Sequence, residues 1–179
     1  RDNLAGVSDR RKMRIRWYHF SDVDDFSLPA LEFKYRTGRL GHKTSVSLSG
    51  FRDTLFDTKM DEFYPQLCKE LAGLGTAQNL ALDDFYMPTL RVQYLREYFQ
   101  DPRGLRLTID KRIQFFQAHS SSNLRDGIGA QYPLTVAEIK FSPHQKQAVV
   151  EMLRTLHLMP KRHSKYLVGL SIFEQALYV

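Results

Sequence analysis

The stretch LEFKYRTGRLGHK, residues 31 to 43, begins in strict alternation: Leu31, Phe33 and Tyr35 fall on one side of an extended chain, Glu32, Lys34 and Arg36 on the other. A strand face that is wholly ionic meets either water or a charged ligand, and its neighbours decide which. KMRIRWYHF, residues 12 to 20, is built alike, with Met13, Ile15 and Trp17 opposite Lys12, Arg14, Arg16 and Tyr18, and it breaks at SDVDD. KTSVSL, residues 43 to 48, separates Lys43, Ser45 and Ser47 from Thr44, Val46 and Leu48. GLRLTID, residues 104 to 110, separates Arg106, Thr108 and Asp110 from Leu105, Leu107 and Ile109. TLRVQYLREYF, residues 89 to 99, sets Tyr94 and Arg96 on the face of Val92, and LTVAEIKF, residues 134 to 141, sets Glu138 and Lys140 opposite Ala137, Ile139 and Phe141.

Strands therefore dominate the first two thirds, and the rest is helical. A helix near 59 to 73 contains Pro65, which breaks or starts it. Ser142 and Gln145 form a capping box with Pro143 at the first helical position, and Val149, Met152, Leu153 and Leu156 give an apolar stripe, which predicts a helix over 143–158. A second helix starts at Ser164 and carries Leu167, Leu170, Phe173 and Leu177. Lys165 in its first turn opposes the helix dipole at a cost of roughly a few tenths of a kcal/mol. A bound anion would offset that cost, and an exposed lysine in solvent is the equal alternative. HSSSNLRDGIG, residues 119 to 129, reads as a mobile Ser/Gly loop.

Composition narrows the class. At 179 residues one domain is the natural reading, and with 42% hydrophobic and 26% charged residues the chain can bury a core, which excludes disorder. The formal charge of +6 leans towards an anionic partner without requiring one. The single cysteine, Cys68, makes no internal disulfide and falls beside Leu67 in the first helix, as a buried thiol in a reducing compartment would. No apolar run approaches the ~18 residues of a membrane span, and the charged start RDNLAGVSDRRK is no signal peptide, so a cytoplasmic domain is expected. The first residue is Arg1, which reads as a fragment lacking its natural N-terminus.

Taken together, the ionic faces carry Lys12, Arg14, Arg16, Lys34, Arg36, Lys43, Arg96, Arg106 and Lys140 against Glu32, Asp110 and Glu138 alone. That is three bases to each acid, where the whole chain has 26 to 20. If these faces turned inward, two unpaired cations about 6 Å apart would repel by roughly 3 kcal/mol at an effective dielectric of about 20. A polyphosphate would relieve the repulsion through charge-assisted hydrogen bonds of roughly 1.5 to 3 kcal/mol each. An anion tunnel and a solvated sheet both remain open on pattern alone.

Other chemistries find less support. The six histidines show no paired-ligand spacing, and Asp22, Asp24 and Asp25 lack the glycine and distal glutamate of a calcium loop. There is no Walker-type phosphate loop and no GxSxG elbow. Trp17, Tyr18, Phe115 and Phe116 fit a core or a barrel wall. With only Tyr18 and Tyr94 as aromatics on the ionic faces, nucleic-acid binding ranks last and no nucleic acid is expected.

RKMRIRWY, LEFKYR with the following HK, YLREYF, GLRLTID, VAEIKF and HSKYLVG occur in the order seen in the polyphosphate polymerase domain of the vacuolar transporter chaperone (VTC) family. The chain resembles that domain from residue 10 to about 170. The wider relatives are the triphosphate tunnel metalloenzymes of the CYTH-like superfamily. The resemblance implies an α+β fold over 1–179 in which an antiparallel β-barrel with flanking helices forms a tunnel for ATP and inorganic polyphosphate. It also implies a metal cofactor, Mn2+ or Mg2+.

By motif position, Arg14, Arg16, Lys34, Lys43, Arg96, Arg106 and Lys165 would grip and activate phosphates, with Arg162 joining them, and Glu138 would hold the metal. Arg162 stands where the family often has lysine, which exchanges a point charge for a fork. The family's first strand, with its Glu-x-Glu-x-Lys motif, is absent, so the barrel is expected to be incomplete. The implied activity is a polyphosphate polymerase. A triphosphatase of the same superfamily and a non-catalytic polyphosphate or inositol-phosphate module are the alternatives, and a membrane-protein partner is known for the family.

Overall fold

The alternation of residues 12–16 and 31–36 becomes an antiparallel sheet in the computed structural model, which describes residues 10–20, 25–37, 40–73, 88–118, 123–127 and 129–173. The fold is mixed α+β, with antiparallel sheets and, among the described residues, three α-helices, and it divides into two compact units. One spans residues 1–88 and 119–126, the other 89–118 and 127–179.

In the first unit, β1 (Arg10–Arg16), β4 (Ala30–Thr37) and β5 (Leu40–Ser47) form a sheet in the order β1-β4-β5, and β2 (His19–Phe20) pairs with β3 (Asp25–Phe26). Register follows from the apolar positions: Leu31 lies between Ile15 and Val46, and Phe33 between Met13 and Thr44. A slip of one residue would turn Leu31 and Phe33, both fully buried, towards the ionic side. Helix α1 (Met60–Gly73) buries Met60, Phe63, Leu67 and Leu71, a stripe at helical spacing. Pro65 lies in its second turn without ending it, and Asp61 and Glu62 suit the positive end of its dipole. Cys68 is only partly buried, one step off the buried stripe, which corrects the expectation of a core thiol.

Of the loop expected over 119–129, residues 119–122 and 128 lie outside the described residues, as does most of the SDVDD turn. Residues 123–126 are tied down in the first unit, where Arg125 Nε donates to Asp57 Oδ1 at 2.8 Å and Asn123 bridges to Lys59.

In the second unit the central strand is β7 (Arg106–Gln117). It pairs with β6 (Leu90–Gln100) along one edge, and with β8 (Gly129–Gln131) and β9 (Val136–Lys140) along the other. The strand begun by GLRLTID thus continues well beyond residue 110. A register shift between Gln93 and Leu95 sets Tyr94 against both Arg112 and Ile113, and Arg112 takes the positive φ of 52° at this bulge. The set on this face changes there from Arg106, Thr108 and Asp110 to Ile113 and Phe115.

Ile113 and Phe115 pack with Val168 of α3 (Lys165–Ile172), flanked by Leu90, Val92 and Tyr132. Gly169 permits the contact, since a Cβ there would lie 2.5 Å from Leu90 Cδ2 and 2.7 Å from Phe115 Cδ1. The expected capping box is present, with Ser142 N–H donating to Gln145 Oε1 at 3.0 Å. The helix predicted over 143–158 begins as a 3-10 turn, Pro143–Gln145, and becomes α2 (Lys146–Thr155). Of its stripe Val149 is buried, whereas Leu156 is 57% exposed beyond the last turn. Among the described residues no helix is long and apolar enough to cross a membrane.

Candidate functional site

The sheet of the first unit lines up its bases in rows. Lys12 stands opposite Lys34, and Lys34 opposite Lys43, so three strands place three lysines side by side. Directly opposed side chains have Cβ atoms about 4.5–5.5 Å apart, and like charges there destabilise the pairing. Lys34 is exposed and makes no ion pair among the described residues. The next row, Arg14–Glu32–Ser45, supplies the one acid.

Glu32 is 3% exposed and receives three cations. Arg14 approaches Oε2 with Nε at 2.7 Å and Nη2 at 2.6 Å, while Arg16 Nη2 and Lys43 Nζ each lie 2.7 Å from Oε1. Burial alone would raise the Glu32 carboxyl. Hydrogen bonds from Lys43 and Arg14, with the charges of Arg14 and Arg16, outweigh it and hold the carboxyl below its usual range. Three cations on one carboxylate give this cluster a surplus of two positive charges among the described residues, and the Arg14 side chain is 63% exposed. Arg16 is oriented further by Tyr18, whose hydroxyl accepts from Nη1 at 2.5 Å.

The second unit repeats the device. Asp110, 1% exposed, accepts Arg96 Nε on Oδ1 at 2.5 Å and Arg96 Nη2 on Oδ2 at 2.7 Å, and Lys165 Nζ stands 2.5 Å from Oδ2. Burial pulls the Asp110 carboxyl upward, but its bonds to Arg96 and Lys165 prevail and keep it low. The same pairing with Asp110 raises Arg96 above its ordinary value against the opposing effect of burial. Tyr94 and Tyr98 flank the guanidinium with centroids 5.0 and 5.7 Å away. The anion that the first turn of α3 called for is thus the protein's own Asp110, and Lys165 does not reach into solvent.

On the same face of the second sheet, Arg106 is exposed and lies opposite Lys140, and Glu138 lies opposite Thr108. Arg162 is exposed between α2 and α3, three residues before Lys165. The expected grip residues therefore gather as Arg14, Arg16, Lys34 and Lys43 in the first unit, and as Arg96 and Lys165 on one carboxylate in the second. Arg106 joins the latter face by register. What the sequence did not reveal is the part played by Glu32 and Asp110, counted there only as the acidic minority. The signal for Glu32 was its place on a strand face otherwise made of Lys34 and Arg36, while Asp110, beside Arg106 and Thr108 on its face, gave a weaker one.

A divalent cation finds a limited donor set. Among the described residues no group of three or more His, Cys, Asp or Glu side chains could hold one. Glu138 is half-exposed, pairs with Lys140 at 3.3 Å, and faces Thr108, whose buried hydroxyl oxygen has no partner among the described residues. One carboxylate and a free hydroxyl suit Mg2+ or Mn2+ only where the ligand's phosphates complete the shell, which is a common way for Mg2+ to be bound.

A family model, the VTC domain, matches residues 1–174. A search of curated proteins found no match.

Proposed function

The chain belongs to the VTC domain family, and on that basis we propose that it is a polyphosphate polymerase, transferring the γ-phosphate of ATP to a growing inorganic polyphosphate chain. The observation that supports this reading is the row of like charges Lys12–Lys34–Lys43 beside a Glu32 that already receives Arg14, Arg16 and Lys43, a local excess of positive charge that a bound anion would offset. The architecture that belongs with this reading is the family's antiparallel barrel, its ionic faces lining the phosphate tunnel.

Phosphoryl transfer asks for position and charge stabilisation more than for a protein nucleophile. Arg14, Arg16, Lys34 and Lys43 hold phosphate oxygens in place. Arg96, Arg106, Lys165 and Arg162 stabilise the charge that spreads over the transferring group. The terminal oxygen of the chain attacks the γ-phosphorus in line, the bond to the bridging oxygen breaks, and ADP leaves. A divalent cation, Mn2+ or Mg2+, held by Glu138 and the phosphates, would neutralise further oxygen charge when bound.

One observation favours a second reading. Among the described residues Glu138 is the one carboxylate beside the unpartnered Thr108 hydroxyl, so the face also suits a module that binds polyphosphate without turning it over. The full-length protein, incubated with ATP and Mn2+, decides by its products. Long chains on a gel establish the polymerase. Free phosphate without chains makes it a triphosphatase, and tight tripolyphosphate binding with neither product makes it a sensor.

A further inference from the structure

We propose that Glu32 is a built-in counter-ion that competes with the phosphate ligand and so sets how tightly the face holds it; this rests on the phosphate-binding reading above. The carboxylate sits at the centre of the sheet, buried, while its three partners arrive from the strands on either side. Their charged ends face solvent to different degrees, with side chains 63% exposed for Arg14, 49% for Lys43 and 36% for Arg16.

A tie made only to hold strands together would need neither three cations nor ionic groups, because apolar side chains of similar volume do that at least as well. The cations that Glu32 engages are also the ones placed to meet an outside anion. Each phosphate that takes hold of Arg14, Arg16 or Lys43 therefore divides those donors with Glu32. A face of this basicity without an internal acid would bind a polyanion tightly and release it slowly. With Glu32 present the net charge falls by one and the donors are partly engaged, so a chain can advance or leave.

Asp110 does not share this role. Its cations are only 23% and 19% exposed, and it holds both in place at 2.7 Å or less, which leaves them oriented towards a ligand more than shared with one. It orders Arg96 and Lys165, where Glu32 moderates a group that remains accessible.

The test measures tripolyphosphate affinity of the full-length protein by calorimetry at several salt concentrations, alongside thermal melting. Glu32→Gln keeps the shape and removes the charge, so it is expected to bind about fivefold tighter or more, with a steeper salt dependence. Ser45 is exposed and stands directly opposite Glu32, so Ser45→Glu adds an acid to the same row and is expected to weaken binding several-fold. In the double variant, Ser45→Glu is expected to return the Glu32→Gln affinity towards the wild-type value, a rescue that a merely structural Glu32 would not give.

Equal or weaker binding by a folded Glu32→Gln variant, while the wild type binds, overturns the inference and leaves the phosphate reading standing. Wild-type protein that does not bind tripolyphosphate overturns both. If Glu32→Gln does not fold, Ser45→Glu alone decides, and an unchanged affinity rejects the proposal.

Discussion

Asp110 and Ile113 are both buried on one side of β7 although an odd number of positions separates them, and the bulge at Arg112 reconciles the two. Beyond the bulge, Ile113 and Phe115 pack against Val168; before it, Asp110 receives Lys165 from the first turn of the same helix. Helix α3 is therefore pinned at two places on one face, by apolar contact and by charge. A regular strand would have turned one of these sets away.

Replacing Asp110 by Asn leaves Arg96 and Lys165 largely buried without a counter-charge. Removing one partner of a buried ion pair costs about 3 kcal/mol, which for a chain of this size lowers Tm by roughly 6–12 °C. The Asp110 carboxyl is held below its ordinary 3.8, so its contribution is complete above about pH 4 and is lost as pH falls through the lowered folded value. The Tm gap between wild type and D110N should be constant from about pH 5 to 8 and close in stronger acid. A gap that persists unchanged at low pH would mean that the charge is not what stabilises.

Arg112 adopts a left-handed backbone with φ of 52°, unfavourable for a side chain with a Cβ by about 1 kcal/mol. Arg112→Gly should therefore melt at or slightly above the wild-type temperature. Deleting Arg112 removes the extra residue, so that Asp110 and Ile113 stand two positions apart and plain alternation keeps both on one side of β7; the second unit should therefore stay folded. Circular dichroism melts of the two variants check this, and a large loss in R112G would show that the arginine side chain, not the backbone, matters there.

Gly169→Ala sets two effects in opposition. Alanine favours a helix by about 1 kcal/mol over glycine, but the new Cβ meets Leu90 at 2.5 Å and Phe115 at 2.7 Å, and overpacking of this kind costs roughly 1–3 kcal/mol. Destabilisation is expected. Adding Leu90→Ala makes room, so the double variant should lose less than the two single losses together.

The ionic and apolar faces of β1, β4 and β5 were legible because short antiparallel strands there keep an unbroken period of two, from Lys12 to Arg16 and from Leu31 to Arg36. At DKRIQFF the period fails, and the bulge that causes the failure carries an arginine with no turn residue to announce it, so the strand seemed to end at Asp110. The stripe and capping box of α2 announced the helix, but spacing identifies a face and not whether anything covers it, and of that stripe Val149 alone is fully buried. Register was the larger gap. Which cations surround Glu32 depends on strand pairing, and alternation within one strand carries no information about that.

Glu138 is half-exposed and its one ion pair among the described residues is with a neighbour on its own strand, so Glu138→Gln should leave Tm within about 1 °C of wild type. Metal-dependent turnover of ATP by the full-length protein should nevertheless fall by at least about a hundredfold, the order expected when a group acting on transition-state charge is lost. Near-normal turnover in that variant would remove Glu138 from the metal's ligands.

Lys34 offers the sharpest separation between a solvated sheet and a ligand face. It stands between Lys12 and Lys43, and opposed like charges cost roughly 0.2–1 kcal/mol per pair, so Lys34→Ala should leave stability unchanged or raise it slightly. If the row exists to meet phosphates, the same variant should bind tripolyphosphate several-fold more weakly and with a shallower salt dependence, because one fewer charge takes part. Stability and affinity then move in opposite directions. A lysine that merely faced water would give no change in affinity, and a lysine that held the sheet together would lower both.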